Sequence, residues 1–154
     1  MLDALDSRGV LTPALALAVW GHDLIYDARA VDNEERSASA FDHWLAAQGG
    51  SAELRQEVRA LILATKHSAP PVGRAEALLV DADLAILGAS AAEFVAYDAA
   101  IRQEYAHVQA LLYRPGRKKV LRGFLNRERI YTTPEFAALE AQARENLARA
   151  VAQL

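Results

Sequence analysis

The sequence predicts an all-α protein. Three observations carry that reading: capping residues stand before apolar stripes of helical spacing, Gly and Pro close those stripes, and no alternating run bounded by turn residues asks for a strand. Thr12 followed by Pro13 is an N-cap with proline at the first helical position, and opens a helix expected to reach about residue 26. Asp32 and Glu35 have capping-box spacing, and their helix stops at Gly49 and Gly50. Ser51 opens the next. There Leu54, Val58, Leu61 and Ile62 form one apolar stripe that continues to about Lys66, until SAPPVGR breaks it. A shorter helix is expected over 75–87, ending at Gly88. Ser90 and Glu93 repeat the capping box and launch a helix to about residue 113, which Pro115 and Gly116 terminate. Another covers about 117–126, and Thr133-Pro134 begins the last.

With 154 residues, no linker composition and no internal repeat, the chain fits one domain. A hydrophobic content of 53% without low-complexity tracts argues against disorder. The absence of cysteine excludes disulfides, thiolate metal sites and cysteine nucleophiles, and suits a reducing cytoplasm. MLDALDSRGV carries acids and no apolar signal core, and the longest apolar run, residues 14–20, is too short to span a bilayer. The expectation is a soluble, cytoplasmic protein with no membrane partner.

The formal charge of −3 is unevenly distributed. Residues 114–129 hold seven of the 17 basic residues against one acid, Glu128, which leaves 10 bases against 19 acids elsewhere. Such a segment is either an anion-facing rim or a solvated basic helix. It has no aromatic interleaving and no recognised motif, so nucleic acid is not an expected partner. Nucleophile-elbow, phosphate-loop, dinucleotide and H-E-x-x-H patterns are all absent.

The stretch that calls for chemistry is VWGHDLIYD. An apolar helix finishes in Gly21-His22-Asp23, with Asp27 one helical turn beyond Asp23. Carboxylates at the end of an apolar helix need a divalent cation, an arginine or solvent, because burying one unpaired costs several kcal/mol (about 2–7 even for neutral polar groups). Adjacent helical side chains diverge by about 100°, so further ligands for any shared ion must come from elsewhere. His67 offers one, and Asp81 and Asp83 in VDADLAILG, acids set among apolar residues, offer two more. His43 and His107 stand in amphipathic helices without clustered acids and read as ordinary helix histidines.

Taken in order, WGHDLIYD, DNEERSA, VDADLAILG, IRQEYAHV and GRKKVLRGFLNRERIY resemble segments of the HD superfamily of metal-dependent phosphohydrolases, most closely those of one bacterial branch. The resemblance runs from about residue 19 to 147. It implies an HD-type helical bundle of about six to seven helices, and hydrolysis of a small phosphorylated substrate, a nucleotide foremost. His22 and Asp23 match the doublet that names the superfamily, and Asp83 matches its distal ligand. His67 falls where two-metal members place further histidines and ranks as a second-tier ligand; Asp81 then supports or caps. The ion implied is Mn²⁺, Fe²⁺, Co²⁺, Ni²⁺, Zn²⁺ or Mg²⁺. Such an ion polarises a phosphoryl oxygen and acidifies water, with Asp23 and Asp27 as the catalytic acids that orient that water and take its proton. Arg36 and Arg102 are candidate phosphate contacts. Otherwise Arg36 pairs with a nearby carboxylate, and Arg102 pairs with Asp98, its i−4 neighbour. Glu34 and Glu35 suit a first helical turn through the dipole alone.

Superfamily members take a further ligand histidine from a helix before the doublet, yet no histidine precedes His22 here. The chain is therefore expected to lack the family's N-terminal helix. This form is expected to bind divalent metal weakly or not at all, to have little phosphohydrolase activity, and to self-associate through an uncovered apolar seam. The alternative reading is a catalytically incomplete HD-fold domain that serves as a ligand- or partner-binding module.

Overall fold

A computed structural model describes all 154 residues, and every regular element in it is helical. Eight α-helices and two 3₁₀ turns sort into two compact units, Met1–Asp83 and Leu84–Leu154. No change of composition marks that division, because the helix that ends one unit runs directly into a 3₁₀ turn of the next.

The first unit holds α1 (Leu2–Asp6), α2 (Pro13–Gly21), α3 (Asn33–Ala47), α4 (Ala52–Ala64) and α5 (Gly73–Asp83). Helix α4 is its centre: α2, α3 and α5 all pack on it, and Val58, Leu61 and Ile62 carry its buried stripe. Leu5, Leu15, Phe41, Leu45 and Leu79 are buried in the same unit. The caps of α2 and α4 form as expected, with Thr12 Oγ1 accepting from the Leu15 amide and Ser51 Oγ from that of Leu54.

The expected capping box of α3 does not form. Asp32 makes no side-chain cap, and the Glu35 carboxylate turns to the Lys66 ammonium at the far end of α4. Lys66 also donates to the Val31 carbonyl at 3.1 Å. The ammonium offers the Glu35 carboxylate a full opposite charge, where the cap offers only a backbone N–H. The Lys66 bond holds the Glu35 carboxyl below its ordinary range, and the same bond pushes the Lys66 ammonium upward.

A second departure concerns the opening helix. It ends at Gly21, five residues earlier than expected. A Cβ at Gly21 would lie 2.7 Å from Phe41 Cγ and 2.9 Å from Ile62 Cδ1, so α2 approaches α3 and α4 as closely as a bare backbone allows. Beyond it the backbone finds partners outside the helix. Ser37, fully buried, accepts from the Ile25 amide at 3.0 Å and donates to the Ile25 carbonyl at 3.1 Å. Asn33 brackets Asp27 in the same way, taking its N–H and donating to its C=O. Short polar side chains that offer both functions to the backbone replace helical bonding.

The second unit comprises a 3₁₀ turn (Leu84–Gly88), α6 (Ala91–Glu104), α7 (Ala110–Leu125), a 3₁₀ turn (Ala137–Leu139) and α8 (Glu140–Gln153). The capping box of Ser90 and Glu93 is present. The expected helix over 75–87 is split, its last turn tightening into the first 3₁₀ turn, and α8 starts later than Thr133-Pro134 suggested. The break expected at Pro115 occurs instead at 105–109, and α7 runs through the proline. Arg102 explains the position of the break. Its guanidinium donates to the Tyr105 and Val108 carbonyls and lies 4.6 Å from the Tyr113 ring centroid. Pro115 removes the bond to the Leu111 carbonyl, which water can replace because Leu111 is exposed.

Helix α8 ties down the irregular parts of this unit. Buried Asn146 donates to the Leu87 and Ala89 carbonyls, and Arg144 donates to those of Leu125, Arg127 and Glu128. The Glu140 carboxylate accepts the Ile130 and Tyr131 amides and pairs with Arg144. Burial alone would raise the Glu140 carboxyl, but the Tyr131 and Ile130 amides and Arg144 outweigh it and leave the group below its ordinary value.

Two glycines should answer oppositely to alanine. Gly21→Ala is expected to destabilise the protein by about 1–3 kcal/mol through overpacking. In Gly123→Ala, where an added Cβ meets nothing within 4 Å, helix propensity should raise stability by up to about 1 kcal/mol. Urea titration followed by circular dichroism compares them, and equal effects would refute the close-approach account.

A depressed carboxyl contributes stability that is complete above its unfolded-state value, here 4.5, and lost as pH falls through the lower folded one. Glu140→Gln should therefore be less stable than the parent near pH 7, with the gap closing below about pH 4. Denaturation midpoints measured from pH 7 to pH 3 test this.

Candidate metal centre

The end of α2 places His22 with a helical backbone, its N–H still bonded to the Ala18 carbonyl. Its Nδ1 lies 2.8 Å from the Val19 carbonyl. A carbonyl oxygen only accepts, so Nδ1 carries a proton there and Nε2 is the nitrogen left to face other groups. Nε2 faces carboxylates: Asp23 Oδ2 at 3.3 Å and Asp83 Oδ1 at 3.9 Å. The other oxygen of Asp83, Oδ2, lies 2.8 Å from His67 Nε2. Helix α5 brings Asp83 from its last turn, and the segment after α4 brings His67 in a left-handed conformation, φ 53°.

Four side chains predicted from the sequence thus meet within the first unit. They meet as pairs: no group of three or more donors converges on one ion position. A bare lone pair aimed at two carboxylates is repulsive, and either a proton or a cation relieves it. Donors at right angles about 2.1 Å from a divalent ion lie about 3 Å apart, close to the 3.3 Å of the His22–Asp23 pair. The Asp23 side chain is 63% exposed at the edge of the cluster, and imidazole nitrogens with carboxylate oxygens are the donor types such an ion takes.

The remaining predicted residues lie elsewhere. Asp27 is not on a helix face with Asp23: it sits in the exposed loop, and its carboxylate accepts the Arg29 amide in a local turn. Arg36 is exposed on α3 without an ion pair. In the second unit, Arg102 has its donors on backbone carbonyls, and the partner expected for it, Asp98, belongs to Arg117 at 2.8 Å. Asp81 is fully buried, and Glu35 is held by Lys66. His43 bonds the Ser39 carbonyl on α3, whereas His107, expected within a helix, lies in the 105–109 break and stacks on Tyr105; both are exposed. Among the basic segment, Arg117 is turned inward and Arg127 lies over the Phe124 ring, so part of its charge is structural.

Three contributors have little signature in sequence. Ser37 and Asn33 fix the loop after the doublet from twelve and six residues away. Lys66 joins the Val31 carbonyl and Glu35 to the residue before His67, and only its place beside a candidate ligand marks it. Around the doublet Trp20, Leu24, Tyr26 and Val31 are each more than half exposed. A concavity of about 300 Å³ in the same unit, lined by Leu63, Ala64, Pro70, Pro71 and Glu76 among others, contains none of the four side chains.

Comparison with protein families, with curated proteins and with solved structures finds no match. The chemistry of the centre therefore rests on its own donors.

The place of Asp83 between two histidines makes a specific prediction. Asp83→Asn weakens the charge-assisted bond from His67. Without added metal it should lower the melting temperature, by a few degrees for about 1 kcal/mol, while abolishing any stabilisation by Mn²⁺. Thermal unfolding with chelator and with Mn²⁺ reads both effects. An unchanged or raised melting temperature in chelator would sink the pairing of Asp83 with His67.

Proposed function

We propose that the chain is a metal-dependent phosphohydrolase of the HD type, acting on a small phosphorylated molecule, a nucleotide foremost. One observation carries this: His22, fixed through Nδ1 on the Val19 carbonyl, aims Nε2 at Asp23 and Asp83. His22, Asp23 and Asp83 would hold the ion. A bound divalent ion supplies Lewis acidity toward a phosphoryl oxygen.

The chain's own residues supply the rest. Water attacks phosphorus as the ester bond to the leaving oxygen breaks. Asp23, exposed and adjacent to His22, takes the proton of that water and returns it to the leaving oxygen. Arg36, exposed and unpaired on α3, is the cation available to a second phosphate oxygen. Asp27 shapes the loop between them through its turn with Arg29. Arg102 has no part in this reading, since backbone carbonyls occupy its donors.

Phosphate release from nucleoside monophosphates and p-nitrophenyl phosphate, measured with Mn²⁺, Co²⁺, Ni²⁺, Zn²⁺ and Mg²⁺, tests the proposal. Turnover should require the metal. Asp23→Asn and His22→Gln should each reduce it by about 100-fold or more, whereas His43→Ala and His107→Ala should leave it unchanged. Release that persists in chelator would overturn the reading. The pairwise closure of the donors favours one alternative, a binding module with the fold and no turnover. Metal bound without hydrolysis of any phosphoester would establish that alternative.

A further inference from the structure

The two oxygens of Asp83 have different neighbours. Oδ1 faces the His22 ring at 3.9 Å, while Oδ2 touches His67 Nε2 at 2.8 Å. We infer that His67 is a positioning residue, which donates from Nε2 to Asp83 Oδ2 and so aims Oδ1 at the ion held with His22 and Asp23. The inference rests on the proposed metal site, and it removes His67 from the set of ligands.

A carboxylate oxygen and a ring nitrogen at 2.8 Å need a proton between them, which makes Nε2 the donor and removes its lone pair from coordination. The other ring nitrogen diverges from Nε2, so an ion bound at Nδ1 could not also be held by the Asp83 oxygen on the far side of the ring. Ligating carboxylates are commonly steered in this way by a hydrogen bond to their second oxygen.

Backbone geometry points to the same role. His67 takes a left-handed conformation, φ 53°, just past the end of α4, with its N–H on the Ala64 carbonyl. For a residue with a Cβ that region costs about 1 kcal/mol or more, a cost glycine escapes. A turn needing only that backbone would be better served by glycine. Here the conformation sends a largely buried imidazole, 18% exposed, back across to α5. Lys66, tied to Glu35 and the Val31 carbonyl, secures the residue before it.

The test uses the full chain and three forms: parent, His67→Gly and His67→Gln. Glycine relieves the backbone and deletes the donor. Glutamine places an amide N–H close to where Nε2 stood but is a poor ligand for Mn²⁺. Calorimetric titration with Mn²⁺ should give one ion per chain in all three. Affinity should fall about 10- to 100-fold in His67→Gly and return to within a few-fold of the parent in His67→Gln. With chelator present, NMR should show scalar coupling across the hydrogen bond between His67 Nε2 and the Asp83 carboxylate.

Two ions in the parent falling to one in His67→Gly would make His67 a ligand and overturn the inference. Equal losses in the glycine and glutamine variants, or no coupling while Mn²⁺ still binds, would overturn it while leaving the metal reading intact. A parent that binds no Mn²⁺ but shows the coupling would overturn the metal reading itself, and the role toward an ion with it.

Discussion

The closeness of α2 to α3 and α4 at Gly21 is the constraint on which the candidate site depends. No Cβ fits between that backbone and the rings and methyls of Phe41 and Ile62. The contact sets the height at which α2 stops, and hence the height at which His22 and Asp23 leave it. A second glycine has the same office in the other unit. At Gly88 a Cβ would lie 2.6 Å from Leu139 Cβ and 3.0 Å from the Tyr131 hydroxyl, so the first 3₁₀ turn there presses on the second. Close approach gains dispersion contacts and excludes water, but it tolerates no added atom.

Once α2 has stopped, polar side chains hold the loop beyond it. Ser37 takes both backbone groups of Ile25, Asn33 takes both of Asp27, and Lys66 takes the Val31 carbonyl together with Glu35. The loop after the doublet is thereby fixed at three places along its length without regular structure. Rigid support of this kind is what a centre of like charges requires. Asp23 and Asp83 approach the same imidazole, and only a defined proton or cation keeps that arrangement favourable. His67 answers on the other side of Asp83.

In the second unit the same logic works through α8. Its Glu140, Arg144 and Asn146 satisfy backbone groups of two stretches, around 84–89 and 125–131, from within two turns of one helix. Charge committed to backbone carbonyls is withdrawn from ligands. For that reason Arg102 and Arg144 are structural cations, whereas Arg36 remains open to solvent.

What the sequence by itself determined is local. Thr12, Ser51 and Ser90 cap the helices they announce, because a cap bonds within three residues and needs no partner from elsewhere. The all-α class and the buried stripe of α4 come from the same short-range periodicity. His22, Asp23, Asp83 and His67 were legible as candidates because acids and histidines stand out among apolar neighbours. Tertiary structure decided the rest. Asp32 and Glu35 have the spacing of a cap, but Lys66, 31 residues away, takes the glutamate. Pro115 has the form of a helix stop, but Arg102 had already closed the preceding helix by bonding the carbonyls beyond it. Asp81 and Asp83 stand two residues apart in one apolar stretch, told apart in sequence by the resemblance alone, and the rotation of α5 buries one completely while facing the other toward two histidines. The reason is common to all three. A polar group takes the partner that lowers its energy most, and that partner is often far along the chain.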